Sequence, residues 1–294
     1  MKKQYRGLII SDLHCGSAIG LLPPEVPLPQ PMPGFVFNNK NGDPELEASM
    51  FCSSLRQNRG QEYLWRCWQD MISQLPPTLD FIVVNGDMIQ GPAKMNGEAY
   101  ETITTRPSFQ CLIAQEALRP LRERTNMFYM IRGTEWHVGS YGENCQVLAE
   151  SLQATQFPEG ERLGEMLFLD IDGVILDIAH DISYFMVYRN TALEREINFS
   201  RVDQCLLEGA PDLIIRSHTH TYGTVQNRWA TAVTTPGWQF SLRFARKKSA
   251  ARGRMTDIGA ILVTIEPWQK KRGEIPVQIK PYLYQHPKYQ TVRL

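Results

Sequence analysis

The chain has 294 residues, enough for one large domain or two small ones, and 43% of them are apolar, enough for a full core. Lysine plus arginine (31) equals aspartate plus glutamate (31), so no overall charge draws the protein toward nucleic acid or a membrane surface. No apolar run is long enough to span a bilayer, and the six cysteines form no Cys-x-x-Cys pair, which argues against a zinc knuckle or dithiol motif and for free thiols in a reducing cytosol.

The basic start, Met1-Lys2-Lys3-Gln4-Tyr5-Arg6, is followed by an apolar run of only a few residues, so residues 5–11 read as a first strand rather than a secretory signal. Residues 21–60 interrupt the pattern. Pro23, Pro24, Pro27, Pro29, Pro31 and Pro33 exclude helix and central strand there. An insertion of this kind is a lid or binding loop, or a tolerated surface excursion. Residues 61–75 place Leu64, Trp68, Met71, Ile72 and Leu75 on one helical face, and Pro76-Pro77 stops the helix.

Residues 81–85 read as a second strand. After a polar loop over 88–105, Ser108 is the expected cap of a helix over 109–124, with Pro120 kinking it or ending it early. A third strand is expected over 126–131 and a short helix over 143–152. Residues 165–170 and 174–179 form a hairpin through Asp172-Gly173. Residues 191–208 are helical, ended by Gly209-Ala210-Pro211. Strands follow at Leu213-Ile214-Ile215 and over 223–226, 230–235, 258–266 and 275–284. With no internal repeat and no linker, residues 1–294 read as one domain. Early strands alternate with helices and late strands follow one another. The class is therefore α/β, with a mixed sheet, or two sheets packed together, flanked by helices.

The histidines carry the chemical signal. Of six, five follow apolar runs: His14 after Leu8-Ile9-Ile10, His137 after the run ending at Ile131, His180 after Val174–Ala179, and His218 with His220 after Leu213-Ile214-Ile215. Asp87 follows Phe81-Ile82-Val83-Val84 in the same way. That edge of an open α/β sheet is where ligands bind. His218 and His220, two residues apart beyond a strand end, are expected to aim at one point. Imidazole and carboxylate together suit Mn²⁺, Fe or Zn²⁺ better than Ca²⁺ or Mg²⁺. A two-metal hydrolytic site needs a carboxylate bridging ions roughly 3.5–4 Å apart, and a further group to protonate the leaving oxygen.

Asp12-x-His14, Gly86-Asp87, Gly133-Thr134-Glu135, His180 and His218-x-His220, in that order, resemble the motifs of the calcineurin-like metallophosphoesterase superfamily, in the form of some phage and prophage members. The resemblance implies an αββα sandwich holding two divalent metal ions, Mn²⁺ foremost with Fe or Zn²⁺ as alternatives. It implies Asp12, His14, Asp87 and His220 at the first ion, Asp87 bridging, and His180 and His218 at the second. Thr235-Pro236-Gly237 is similar to the family's Asn-Pro-Gly turn.

The third motif departs from the family's Gly-Asn-His. Thr134 or Glu135 must replace the Asn as a metal ligand, and His137 is the candidate acid. Trp136 either packs beneath the loop or belongs to the core.

Gln90 stands where Ser/Thr protein phosphatases of the superfamily carry a second Asp, which disfavours that branch. Arg243, Arg246, Lys247, Lys248, Arg252 and Arg254 follow Trp238, Phe240 and Phe244. Such a basic loop, with Arg246, Lys247 and Lys248 contacting substrate and the aromatics stacking bases, suits a nucleic acid; a solvated loop is the other reading. The implied function is metal-dependent hydrolysis of a phosphate-ester substrate, a phosphodiesterase or nuclease before a small-molecule monoesterase. A non-catalytic binding protein of the same fold is the alternative from another class.

Overall fold

The computed structural model describes residues 2–26, 37–38, 44–45, 55–92, 101–139, 142–182, 189–202, 209–241 and 256–287. The central run of the proline-rich insertion and the basic loop, with Arg246, Lys247 and Lys248, lie outside them, as do Cys52 and Cys205. The elements in chain order are β1 (Tyr5–Ile10), β2 (Phe37–Asn38), β3 (Pro44–Glu45), α1 (Arg59–Gln74), β4 (Phe81–Asn85), α2 (Pro107–Arg122), β5 (Phe128–Ile131), α3 (Glu135–Val138), α4 (Glu143–Ser151) and β6 (Leu163–Gly164). They continue with β7 (Met166–Ile171), β8 (Val174–Ala179), α5 (Arg189–Val202), β9 (Leu213–Arg216), β10 (Gly223–Gln226), β11 (Thr231–Thr234), β12 (Ile258–Ile265), α6 (Pro267–Lys270) and β13 (Val277–Tyr284).

Eleven of the described strands make two mixed sheets, of six strands in the order β13-β12-β1-β4-β5-β6 and of five in the order β10-β11-β9-β8-β7, while β2 and β3 pair with each other. Strand alternation explains why they stack. Ile9 of β1, Phe81 and Val83 of β4, and Ile261, Val263 and Ile265 of β12 face the second sheet. There they meet Leu176 and Ile178 of β8 and Leu213 and Ile215 of β9 in one buried cluster. The opposite face of the first sheet, with Leu8, Ile10, Ile82 and Val84, packs on α1, α2 and α4. The opposite face of the second sheet packs Ile214 and Ala232 on Leu193 and Ile197 of α5. Helix, sheet, sheet, helix is the resulting order, the αββα sandwich.

Local chemistry sets the element ends. Asn58 caps α1, its side chain accepting from the Gly60 and Gln61 N–H groups while Gln61 reaches back to the Asn58 N–H. The α2 helix begins differently from expectation. Ser108 is not its cap; Arg106 holds that position without a side-chain cap bond, and Pro107 starts the helix with its pre-set φ. Pro120 is accommodated in the last turn, so the helix runs to Arg122. The β7–β8 hairpin turns through Asp172 and Gly173, both with positive φ (50° and 87°). The start of the insertion is not a surface excursion: Leu21, Leu22 and Val26 are buried in the helix-side core.

Cys15, Cys67, Cys111 and Cys145 are free and buried. Among the described residues no helix is long and apolar enough to cross a membrane.

Candidate metal centre

In the first sheet β1, β4 and β5 run parallel to one another, and in the second β8, β9 and β11 do the same. The carboxyl ends of all six meet at one edge. Asp12 and His14 follow β1, Asp87 follows β4, Thr134 and His137 follow β5, His180 follows β8, and His218 and His220 follow β9. Cross-links tie these loops together: the Asp12 N–H donates to the Gly86 carbonyl (3.1 Å), the His14 N–H to that of Asp87 (3.0 Å), the Ser217 N–H to that of His180 (2.8 Å) and the Trp238 N–H to that of Asp12 (2.9 Å).

Three groups of acid and imidazole side chains bring ligand atoms within 4.8 Å of one another: Asp12, His14 and His220; Asp87, His180 and His218; and His14, Asp87 and His137. The expectation that His218 and His220 aim at one point is corrected here. They diverge to different groups because the backbone between them does not stay extended; both have positive φ (65° and 50°). Asp12, His14 and Asp87 have positive φ as well (54°, 45° and 45°). Each such conformation costs of order 1–3 kcal/mol in a residue other than glycine, and such strain clusters at functional sites.

The donors fit metal ions on this structure's own terms. Asp12 is wholly buried, yet neither carboxylate oxygen accepts a hydrogen bond among the described residues, although His220 Nε2 lies 3.2 Å from Oδ1. A buried carboxylate without such partners is costly unless a cation sits against it. Burial by itself would raise the Asp12 carboxyl; His220 and His180 outweigh that and hold it below the usual carboxylate range. Asp87 is likewise held low against its burial, chiefly by His180, whose Nε2 lies 3.1 Å from Oδ2. Burial opposes a charged His180, but Asp87, Asp12 and the Asn85 carbonyl raise it above the ordinary histidine value. His14 is driven well below that value, by burial first and then by His137 and His220.

A metal ion must therefore displace a proton from His180, since only neutral imidazole ligates. Affinity at the Asp87, His180 and His218 group is expected to rise with pH through neutrality, by about tenfold per unit if one proton leaves. Calorimetric titrations in two buffers of different ionisation enthalpy measure the released proton directly; equal heats in both would contradict a protonated His180.

In the third motif Glu135 lies apart from the three groups, while Thr134 lies beside one of their carboxylates. Thr134 is turned to Asp87, its N–H donating to Oδ1 (2.9 Å) and its hydroxyl lying 3.2 and 3.3 Å from the two oxygens. Thr134 thus steadies the carboxylate. Glu135 is exposed at the first position of α3 and belongs to none of the three groups. The helical turn that begins there carries its side chain away from the strand edge. Trp136 is 40% exposed, so it is not part of the core. Trp238, read above as a stacking surface for bases, is wholly buried edge-on against Trp68 of α1 (ring centroids 4.8 Å apart) and presents no face to a ligand. Phe240 is partly buried against the same core.

Several positioning residues escaped the sequence reading. Asn85 donates through Nδ2 to the Ala179 carbonyl (2.9 Å) and to Ser217 Oγ (2.6 Å), and its own carbonyl accepts from His180 Nδ1 (2.7 Å). Thr235 Oγ1 lies 2.7 Å from both Ser11 Oγ and Ser217 Oγ, which extends this network from one sheet to the other. Gln239 Nε2 donates to Gln90 Oε1 (2.9 Å) and Ser17 Oγ (3.2 Å). The available signal was a polar residue closing an apolar run, as in Val84-Asn85 and Arg216-Ser217.

Gly86 was visible only as part of a motif. Its φ is +82°, and a Cβ there would lie 2.1 Å from His180 Nδ1. Gly86→Ala is expected to destabilise the protein by roughly 1–3 kcal/mol through overpacking, and to displace His180. Urea unfolding and metal titration of the variant check both effects; an unchanged midpoint with unchanged metal binding would contradict the packing described.

No family model matches the chain, and no curated protein matches it. Solved structures are similar at low identity. Vacuolar protein sorting 29 from Cryptosporidium parvum shows 10% identity and a TM-score of 0.43 over 96% of this chain and 99% of that one. The wild-type protein of the same name from Entamoeba histolytica, complexed with zinc, shows 11% and 0.38 over 94% and 99%. A novel archaeal phosphodiesterase shows 9% and 0.40 over 94% and 99%. Likenesses this distant carry no argument about activity, which rests on the site itself.

Proposed function

We propose that this protein is a metal-dependent phosphoesterase of the calcineurin-like superfamily, working with two divalent ions and preferring diesters. The observation that carries the reading is the convergence of Asp12, His14 and His220 with Asp87, His180 and His218 at one strand edge. The first three would hold one ion and His180 and His218 the other, with Asp87 shared. Two carboxylates among imidazoles favour Mn²⁺, Fe or Zn²⁺. Divalent ions held there would supply positive charge against the phosphate and an acidified water near neutral pH.

The chain's own residues do the positioning. Thr134 and His180 fix the Asp87 carboxylate from two sides. Asn85 fixes the His180 ring through Nδ1. His218 is exposed, so the second group opens to solvent and gives a phosphate a side from which to enter. The preference for diesters, with single-stranded nucleic acid as the candidate substrate class, rests on the sequence of the basic run that includes Arg246, Lys247 and Lys248.

The test is a paired assay on bis-p-nitrophenyl phosphate and p-nitrophenyl phosphate across Mn²⁺, Fe²⁺, Zn²⁺ and Mg²⁺. The expected result is metal-dependent turnover, highest with Mn²⁺ and faster on the diester. Faster monoester turnover would remove the diester preference. No turnover with any ion, together with substoichiometric bound metal, would favour a non-catalytic binding protein.

A further inference from the structure

His137 occupies the place where the sequence called for a proton donor, but its hydrogen bonding describes a different role. Its Nδ1 lies 2.6 Å from the Gln90 carbonyl. A carbonyl only accepts, so Nδ1 carries the proton and donates it. In the neutral ring the remaining nitrogen, Nε2, is then a bare lone pair, which can ligate but cannot donate. His180 is tied in the same way: its Nδ1 donates to the carbonyl of Asn85 at the end of β4 (2.7 Å), and its Nε2 turns toward Asp87. A ring nitrogen anchored on a backbone carbonyl, with the other facing the ion, is how metal-ligating histidines are usually held.

The position of the ring agrees. His137 Nε2 lies 4.0 Å from Asp87 Oδ2, and the ring meets His14 edge-on with centroids 4.6 Å apart. Ligand atoms of His14, Asp87 and His137 lie within 4.8 Å of one another. His14 and Asp87 already belong to the first ion. The placement is built into the fold. The α3 turn starts at once after Thr134, with the His137 N–H donating to the Thr134 carbonyl (2.9 Å), and so carries the ring back over the strand edge. Gly91, with φ +77°, lets the Gln90 loop close on that turn; a Cβ there would lie 2.4 Å from the His137 carbonyl oxygen. Gln110 secures the loop, accepting from the Gly91 N–H (2.7 Å) and donating to its carbonyl (2.9 Å).

We propose that His137 is a ligand of the ion held by Asp12, His14, Asp87 and His220, which makes the centre asymmetric. The first ion has five side-chain ligands. Among the described residues the second has only Asp87, His180 and His218, with Thr134 turned to Asp87 and Glu135 exposed. The first ion binds tightly and the second loosely, and the leaving group's proton comes from a source other than His137. This inference rests on the proposed dinuclear function.

The test is a Co²⁺ titration of the metal-free full-length protein followed by visible spectroscopy and calorimetry, with His137→Ala and His137→Cys beside wild type. Wild type is expected to bind two ions in separate steps. His137→Ala should weaken the tight step by at least about tenfold, the least that loss of a group holding a ligand costs, and leave the loose step in place. His137→Cys should introduce a sulfur-to-cobalt charge-transfer band that wild type lacks, which a folded protein shows only if position 137 reaches the ion. Two wild-type steps with the tight step unchanged in His137→Ala and no new band in His137→Cys would overturn the inference and leave the hydrolase reading standing. A wild-type protein that binds no Co²⁺ would overturn both.

Discussion

Asp87→Asn is expected to remove one metal ion from the protein and to lower turnover by roughly 10²–10⁴-fold. Asp87 is the carboxylate common to the Asp87, His180, His218 and His14, Asp87, His137 groups, and it lies between the loops that follow β1, β5 and β8. The amide keeps the shape and one acceptor for the Thr134 N–H, 2.9 Å away. It loses the charge, and its NH₂ brings a donor to the place where His180 Nε2 lies 3.1 Å from the carboxylate. A shared anionic ligand would hold both ions in place, and the ions would stabilise the charge that develops on the phosphate by several kcal/mol, each 1.4 kcal/mol being tenfold in rate. Metal analysis after dialysis, with turnover of a small diester, measures the two effects. A variant that retains both ions and full turnover would remove Asp87 from the centre.

The same substitution changes the metal-free protein. With Asp87 held low and His180 held high, their ion pair stabilises the fold in full above the carboxylate's unfolded value and below the ordinary histidine value. That contribution is lost as pH falls through the lowered Asp87 value, or rises through the raised His180 value. In Asp87→Asn the stability of the metal-free protein should accordingly depend less on pH in the acid range.

Arg216→Ala is expected to cost roughly 3–5 kcal/mol, the largest stability loss predicted for a single exchange in this chain. Arg216 closes β9 one residue before the His218 loop. Its Nη1 and Nη2 each lie 2.9 Å from an oxygen of Asp177 on β8, and its Nε lies 3.0 Å from Glu196 Oε2 on α5. All three side chains are 11% exposed, so they are screened little by solvent. Alanine removes the guanidinium that both nearly buried carboxylates contact. Replacing the whole triad with apolar residues, as Arg216→Met, Asp177→Leu and Glu196→Leu, should recover most of the loss, because the desolvation of the charges disappears with them. Urea unfolding of the single and triple variants decides the matter. A single variant within 1 kcal/mol of wild type, well under the roughly 3 kcal/mol floor for a broken buried pair, would show that the triad contributes little.

Much of this protein was determined by local chemistry that the sequence displays. The strand over Phe81–Asn85 is five apolar or closing residues between Pro76-Pro77 and a glycine, and such a run has few other fates. The β7–β8 hairpin follows from Asp172-Gly173, a dipeptide that tolerates positive φ. The class of the site was legible because five histidines and Asp87 follow apolar runs, and the open end of a parallel strand leaves its loop facing a crevice.

What the tertiary structure alone decided is which of these side chains lie together. That depends on backbone angles at Asp12, His14, Asp87, His218 and His220, all in the left-handed region, which aspartate and histidine tolerate better than most residues but adopt only in a minority of cases. Contacts between loops distant in sequence hold them there, such as Asp12 on Gly86 and Ser217 on His180. The arrangement of the third motif has the same origin. Glu135 is the stronger donor by chemistry, but the α3 turn directs it to solvent, sets Thr134 against Asp87 and brings the His137 ring over the edge. Residue type states what a side chain can bind; only the packing of two sheets against each other states where it points.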